Sequence, residues 1–131
     1  MFPSVVESFD APNDRETLHL AGVFDQHSKQ LLHDACTQAR EVAPEVHLVV
    51  DLTGVEFIDF DGLFEVAALV RARRRLGDPS YARVSSPVCW GLLEMAELCD
   101  VARLVPRGYV GRPTRLEHGR RRPRARPTSA R

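Results

Sequence analysis

Lysine is almost missing from this chain: Lys29 stands alone beside 17 arginines, which reads as codon bias rather than function. Cysteine is scarce and odd in number, at Cys36, Cys89 and Cys99. No pair has C-x-x-C spacing, which argues against a disulfide framework and for reduced thiols in a cytoplasmic protein. No apolar run approaches the roughly 20 residues that a membrane span needs, so membrane insertion is not expected. The first residues, Met1-Phe2-Pro3-Ser4-Val5-Val6-Glu7, lack the basic stretch and long apolar core of a secretory signal. No phosphate-binding loop and no metal-ligand set is present. His33 and Cys36 lie one helical turn apart but have no second ligand pair, so neither metal nor cofactor is expected. His19, His27 and His47 fall on different elements and read as structural or exposed.

Charge is absent only in sum. The formal net charge is zero over 131 residues. Residues 1–106 nevertheless hold 17 acids against 9 bases, and residues 107–131 hold 9 arginines against Glu117 alone. An acidic domain is followed by a basic tail. The tail is rich in Gly, Pro and Arg and poor in apolar residues, so it is expected to be disordered. If nucleic acid is a partner, the contact falls on Arg120-Arg121-Arg122-Pro123-Arg124-Ala125-Arg126, although no aromatics are interleaved there to stack on bases.

The body alternates strand and helix signals. Residues 4–9 and 16–24 have strand spacing, with Asn13-Asp14 as the hairpin turn between them. From Asp25 onward Leu31, Leu32, Ala35, Ala39 and Val42 form an amphipathic helical face that Pro44 ends. Residues 46–52 are nearly continuous apolar, as in a central strand buried on both faces. Asp59 and Asp61 sit where carboxylates cap a helix and face its positive end. Leu63, Val66, Ala67, Val70 and Leu76 form that helix's buried stripe. Arg71, Arg73, Arg74 and Arg75 crowd its last turns, where cations suit the dipole. Gly77-Asp78-Pro79 breaks it. A short strand at 81–85 follows. Ser86-Pro87 then opens a third helix, with Leu92, Leu93, Met95, Ala96 and Leu98 on its apolar side, and a last strand runs from Val101 to Val105. The order predicts one α/β domain over residues 4–106, a mixed sheet with helices covering one face.

One stretch is more specific. Asp51-Leu52-Thr53-Gly54-Val55-Glu56-Phe57-Ile58-Asp59 follows the central strand and leads into the acidic turn. With Gly22-Val23-Phe24-Asp25 and Ser86-Pro87…Leu92-Leu93-Glu94, it resembles the STAS domain of anti-sigma factor antagonists. That family reads D-L-[ST]-G-V-x-F-[IM]-D-[ST]-[ST]-G-L here. This chain has Phe60 and Asp61 in place of the two hydroxyl residues, Val23 for a usual Glu and Glu97 for a usual Gly. The resemblance implies a binding module rather than an enzyme. Its partner would be an anti-sigma factor or a related serine kinase of the histidine-kinase-like ATPase type. It also implies a docking face at Asp25, Asp59, Phe60, Asp61, Gly62 and Leu63. Phe60 holds the family's phosphorylation position without an acceptor oxygen, so no phosphorylation is expected there. Other roles compatible with the resemblance are a non-switching scaffold or a transporter accessory subunit. The sequence leaves homodimerisation open.

Overall fold

A computed structural model describes residues 2–106; the expectation of a disordered tail concerns residues outside the described ones. Five strands line up in chain order: β1 (Ser4–Asp10), β2 (Arg15–Phe24), β3 (His47–Ile58), β4 (Tyr81–Val84) and β5 (Ala102–Leu104). β1 is antiparallel to β2, and β2 through β5 are parallel. The crossovers carry α1 (Lys29–Arg40), α2 (Phe60–Arg75) and α3 (Pro87–Met95). Neighbouring parallel strands joined in sequence by right-handed crossovers place their helices on the same face of the sheet. The expected mixed-sheet architecture is the observed one.

The register explains the core. Leu18 pairs with Val50, and Val50 with Ala82. Because side chains alternate along a strand, Leu18, Leu20, Leu48, Val50, Leu52, Ala82 and Val84 share one face. They pack with Leu32 and Cys36 of α1, Leu63, Val66 and Val70 of α2, and Cys89 and Leu93 of α3. Burial pushes the Cys36 thiol up to about 12 and the Cys89 thiol up to about 11. Both are free cysteines that serve as packing groups.

Four details differ from the sequence reading. The central strand continues to Ile58 instead of ending at Leu52. Register shifts opposite Gly54 and beyond Gly22 let β2 follow it, and Gly54 permits the approach, since a Cβ there would lie 3.1 Å from the Ala21 Cβ. The first α-helix starts at Lys29, because Asp25 caps a separate 3-10 turn, Gln26–Ser28. Leu76, expected in the buried stripe of α2, and Met95, expected on the apolar side of α3, are exposed at 55% and 73%. Each sits at or next to the end of its helix, where the stripe has run past its neighbours.

The fourth difference concerns the arginine cluster. Arg73 is fully buried. Its Nε donates to Asp78 Oδ2 at 2.9 Å, and its terminal nitrogens donate to the carbonyls of Val42 (2.6 Å), Ala43 (3.0 Å) and Val46 (2.6 Å). Asp78 also accepts the Leu48 amide at 3.0 Å and pairs with His47 Nδ1 at 2.8 Å. Arg74 donates to the Ser80 and Asp100 carbonyls, and Arg71 to the Asp100 carboxylate. Arg73 and Arg74 stand in the last turn of α2 as expected, and with Arg71 they also tie the helix to neighbouring segments.

Removing one member of a buried ion pair costs about 3–5 kcal/mol, because the other charge is left uncompensated. Arg73→Ala is expected to lower unfolding stability by that order in urea titration. A loss below about 1 kcal/mol, the scale of an exposed salt bridge, would show that the joint is not structural.

Candidate functional site

The acidic turn sits where β3 hands the chain to α2 with only Asp59 between them. Asp59 is the N-cap: its Oδ1 accepts the Gly62 amide at 2.8 Å, and its carbonyl accepts the Leu63 amide at 3.0 Å. Its own amide donates to the Phe24 carbonyl at 3.1 Å, tying the turn to the end of β2. Asp25 follows Phe24 directly. Its Oδ1 accepts the His27 amide at 2.9 Å, and its amide donates to the Ser28 hydroxyl at 3.0 Å. Two capped turns therefore stand side by side at the carboxyl ends of two adjacent parallel strands.

A small cleft between them is lined by Phe24, Asp25, Lys29, Asp59, Asp61 and Glu65, among others. Asp61 caps nothing. It projects from the first turn of α2, and its Oδ2 lies 3.8 Å from Lys29 Nζ, with both side chains largely exposed. An ion pair so exposed contributes little to stability, which leaves Asp61 available to a partner. Glu65, one helical turn on, pairs with His33 Nδ1 at 2.9 Å.

Phe60 is 39% exposed at the head of α2, and Phe64, one turn further along the same helix, is 50% exposed. Phe57, just before the turn, is 47% exposed. It borders a second shallow cleft with Val88 and Leu92 of α3. Of the six residues expected at the docking face, the structure brings Asp25, Asp59 and Asp61 around one cleft and leaves Phe60 exposed on the surface at the head of α2. Gly62 and Leu63 lie beneath it, Leu63 inside the core. The sequence reading missed Phe57 and Phe64 as part of this surface. The four-residue spacing of Phe60 and Phe64 on one helix was the available signal.

Chemically the turn offers carboxylates and apolar rings. No hydroxyl occupies it; Ser28, the hydroxyl facing the same cleft, is buried and engaged in its own capping box. Among the described residues no cluster of His, Cys, Asp and Glu is arranged to hold a metal ion, and no helix is long and apolar enough to cross a membrane.

Two substitutions probe how the turn is built. Asp59→Ala removes the cap and is expected to cost about 1 kcal/mol. In Gly62→Ala the added Cβ would meet Ile58 Cγ1 at 2.7 Å and Leu32 Cδ2 at 3.2 Å. Such overpacking costs about 1–3 kcal/mol. Urea unfolding of both variants checks this; wild-type stability in Gly62→Ala would mean that the turn is looser than described.

Comparison with known proteins agrees with the geometry. No match was found among curated proteins. Among solved structures, an anti-sigma factor antagonist from Mycobacterium paratuberculosis superposes with a TM-score of 0.66 at 20% identity, over 80% of this chain and 86% of that one. The Bacillus cell fate determinant SpoIIAA in its phosphorylated form superposes with a TM-score of 0.58 at 12% identity, over 80% and 94%. At these identities the likeness is one of fold. The family described as Mlab, STAS domain, matches residues 7–106, which takes in nearly all of the sheet and every helix, and this chain belongs to that STAS family.

Proposed function

We propose that the domain is a regulatory binding module whose docking face is the turn at the head of α2. The observation that carries this reading is Phe60, a large apolar ring left 39% exposed and flanked in sequence by Asp59 and Asp61, two carboxylates that line the cleft with Asp25. Aromatic residues with a charged surround are the usual anchors of protein interfaces. The partner is an anti-sigma factor or a related serine kinase of the histidine-kinase-like ATPase type; the fold likeness to anti-sigma factor antagonists supports that class. A basic surface on the partner would meet Asp25, Asp59 and Asp61.

Binding at this face is not switched by phosphorylation of the turn. Phe60 has no oxygen to accept a phosphoryl group, and Asp61 cannot form a stable serine ester. The module is then constitutive. The same departure also favours a second reading, a non-switching scaffold or accessory subunit that uses the same face. In either case a chain lacking residues 107–131 keeps its partner, whereas a nucleic-acid-binding role in the basic tail would be lost with them.

Phe60→Ala is expected to weaken binding to an anti-sigma kinase by about 1–3 kcal/mol, measured by calorimetric titration. The fold should tolerate the change because the ring is only partly buried. Phe60→Ser restores a hydroxyl. With that kinase and ATP it is expected to gain phosphate at residue 60 and then to lose binding, since phosphate adds nearly two charges at the interface. Unchanged affinity in a folded Phe60→Ala, Asp61→Ala double variant would remove the turn from the interface.

A further inference from the structure

The face of the sheet turned away from the helices carries a file of polar side chains from adjacent strands. Ser8 on β1, His19 on β2 and Asp51 on β3 are consecutive in space though 11 and 32 residues apart in sequence. Ser8 Oγ lies 3.0 Å from His19 Nε2. His19 Nδ1 lies 3.0 Å from Asp51 Oδ2. The other carboxylate oxygen, Asp51 Oδ1, is engaged by the Thr53 amide at 3.0 Å and the Thr53 hydroxyl at 2.7 Å. From β4, Arg83 Nη2 stands 3.7 Å from Oδ2.

The proton positions follow from these partners. Burial alone would raise the Asp51 pKa, but the hydrogen bonds from His19 and Thr53 and the charge of Arg83 outweigh it and hold it at about 2. Asp51 is therefore an ionised acceptor, and the imidazole proton must sit on Nδ1. In neutral His19 the lone pair of Nε2 then faces Ser8, whose hydroxyl donates to it. A base in hydrogen-bond reach of a hydroxyl, oriented in turn by a fixed carboxylate, is the general arrangement of an activated nucleophile. Asp51 is nearly enclosed, at 7% side-chain exposure, while His19 retains 32% and Ser8 is half-buried on the edge strand. The positioning end is fixed and the reactive end meets solvent.

We propose that Ser8 is a reactive serine, a covalent acceptor for activated acyl and phosphonyl electrophiles, with His19 as its base and Asp51 as the residue that positions His19. The site is separate from the docking face and independent of it. With a fluorophosphonate, Ser8 Oγ forms a bond to phosphorus as the P–F bond breaks. Fluoride leaves with the bonding pair, and the hydroxyl proton passes to His19 Nε2 and then to water. With an activated ester, Oγ bonds to the acyl carbon and the departing alkoxide takes the proton from His19.

The test is labelling of the full chain with a fluorophosphonate, followed by peptide mass spectrometry. Ser8 is expected to be labelled about 100-fold faster than in His19→Gln, the lower end of what a positioned base supplies. Asp51→Asn is expected to slow labelling at least about 10-fold, and Ser8→Ala to abolish it. Should a variant fail to fold, native wild-type chain is compared with wild-type chain unfolded in urea. No label at Ser8, or a rate equal to that of His19→Gln or of the unfolded chain, would overturn the proposal.

Discussion

A guanidinium with no exposed surface closes one end of this domain. Arg73 reaches from the last turn of α2 into the loop between α1 and β3, where it supplies donors to three carbonyls and to Asp78. Asp78 in turn holds the first residues of β3 through the Leu48 amide and His47. The charge is buried, but every contact is a hydrogen bond, which is the condition under which a buried charge is tolerated. With the end of α2 and the start of β3 joined there, the end of β3 and the start of α2 must meet at the opposite end. A helix of 16 residues spans about 24 Å at 1.5 Å per residue, so the acidic turn lies a full domain length from the buried pair.

That placement sets the electrostatics of the turn. The amino end of α2 carries partial positive charge and unpaired amides. Asp59 satisfies the Gly62 amide, and Asp61 adds a carboxylate in the same first turn. An exposed ring stands beside it at Phe60.

Element order, sheet type and the identity of the turn were legible in the sequence because they rest on local signals. Periodicity separated strands from helices, Pro44 and Pro79 marked breaks, and the run from Asp51 to Asp59 carried the family's pattern. Long-range pairing was not legible. Arg73 looks like its neighbours Arg71 and Arg74 in sequence, and Asp78 looks like an ordinary turn residue; only the fold brings both into one enclosed space. His19 and Asp51 belong to different strands, and their contact depends on a parallel register that no local pattern encodes. The extension of β3 past Thr53-Gly54 was hidden for a similar reason. Glycine in a strand reads as a break until the strand that approaches it closely is known. Within the turn, Leu63 followed the family's motif into the docking set, although its position on the helix assigns it to the core.

The central claim is that the chain meets its partner at the head of α2. Amide hydrogen exchange of the full chain, alone and bound to an anti-sigma kinase, tests it without altering any residue. Binding is expected to slow exchange across residues 57–64 and 25–28 and to leave the Ser8–His19 side of the sheet unchanged. Protection confined to β1 and β2, with residues 57–64 exchanging as in the free chain, would contradict the account.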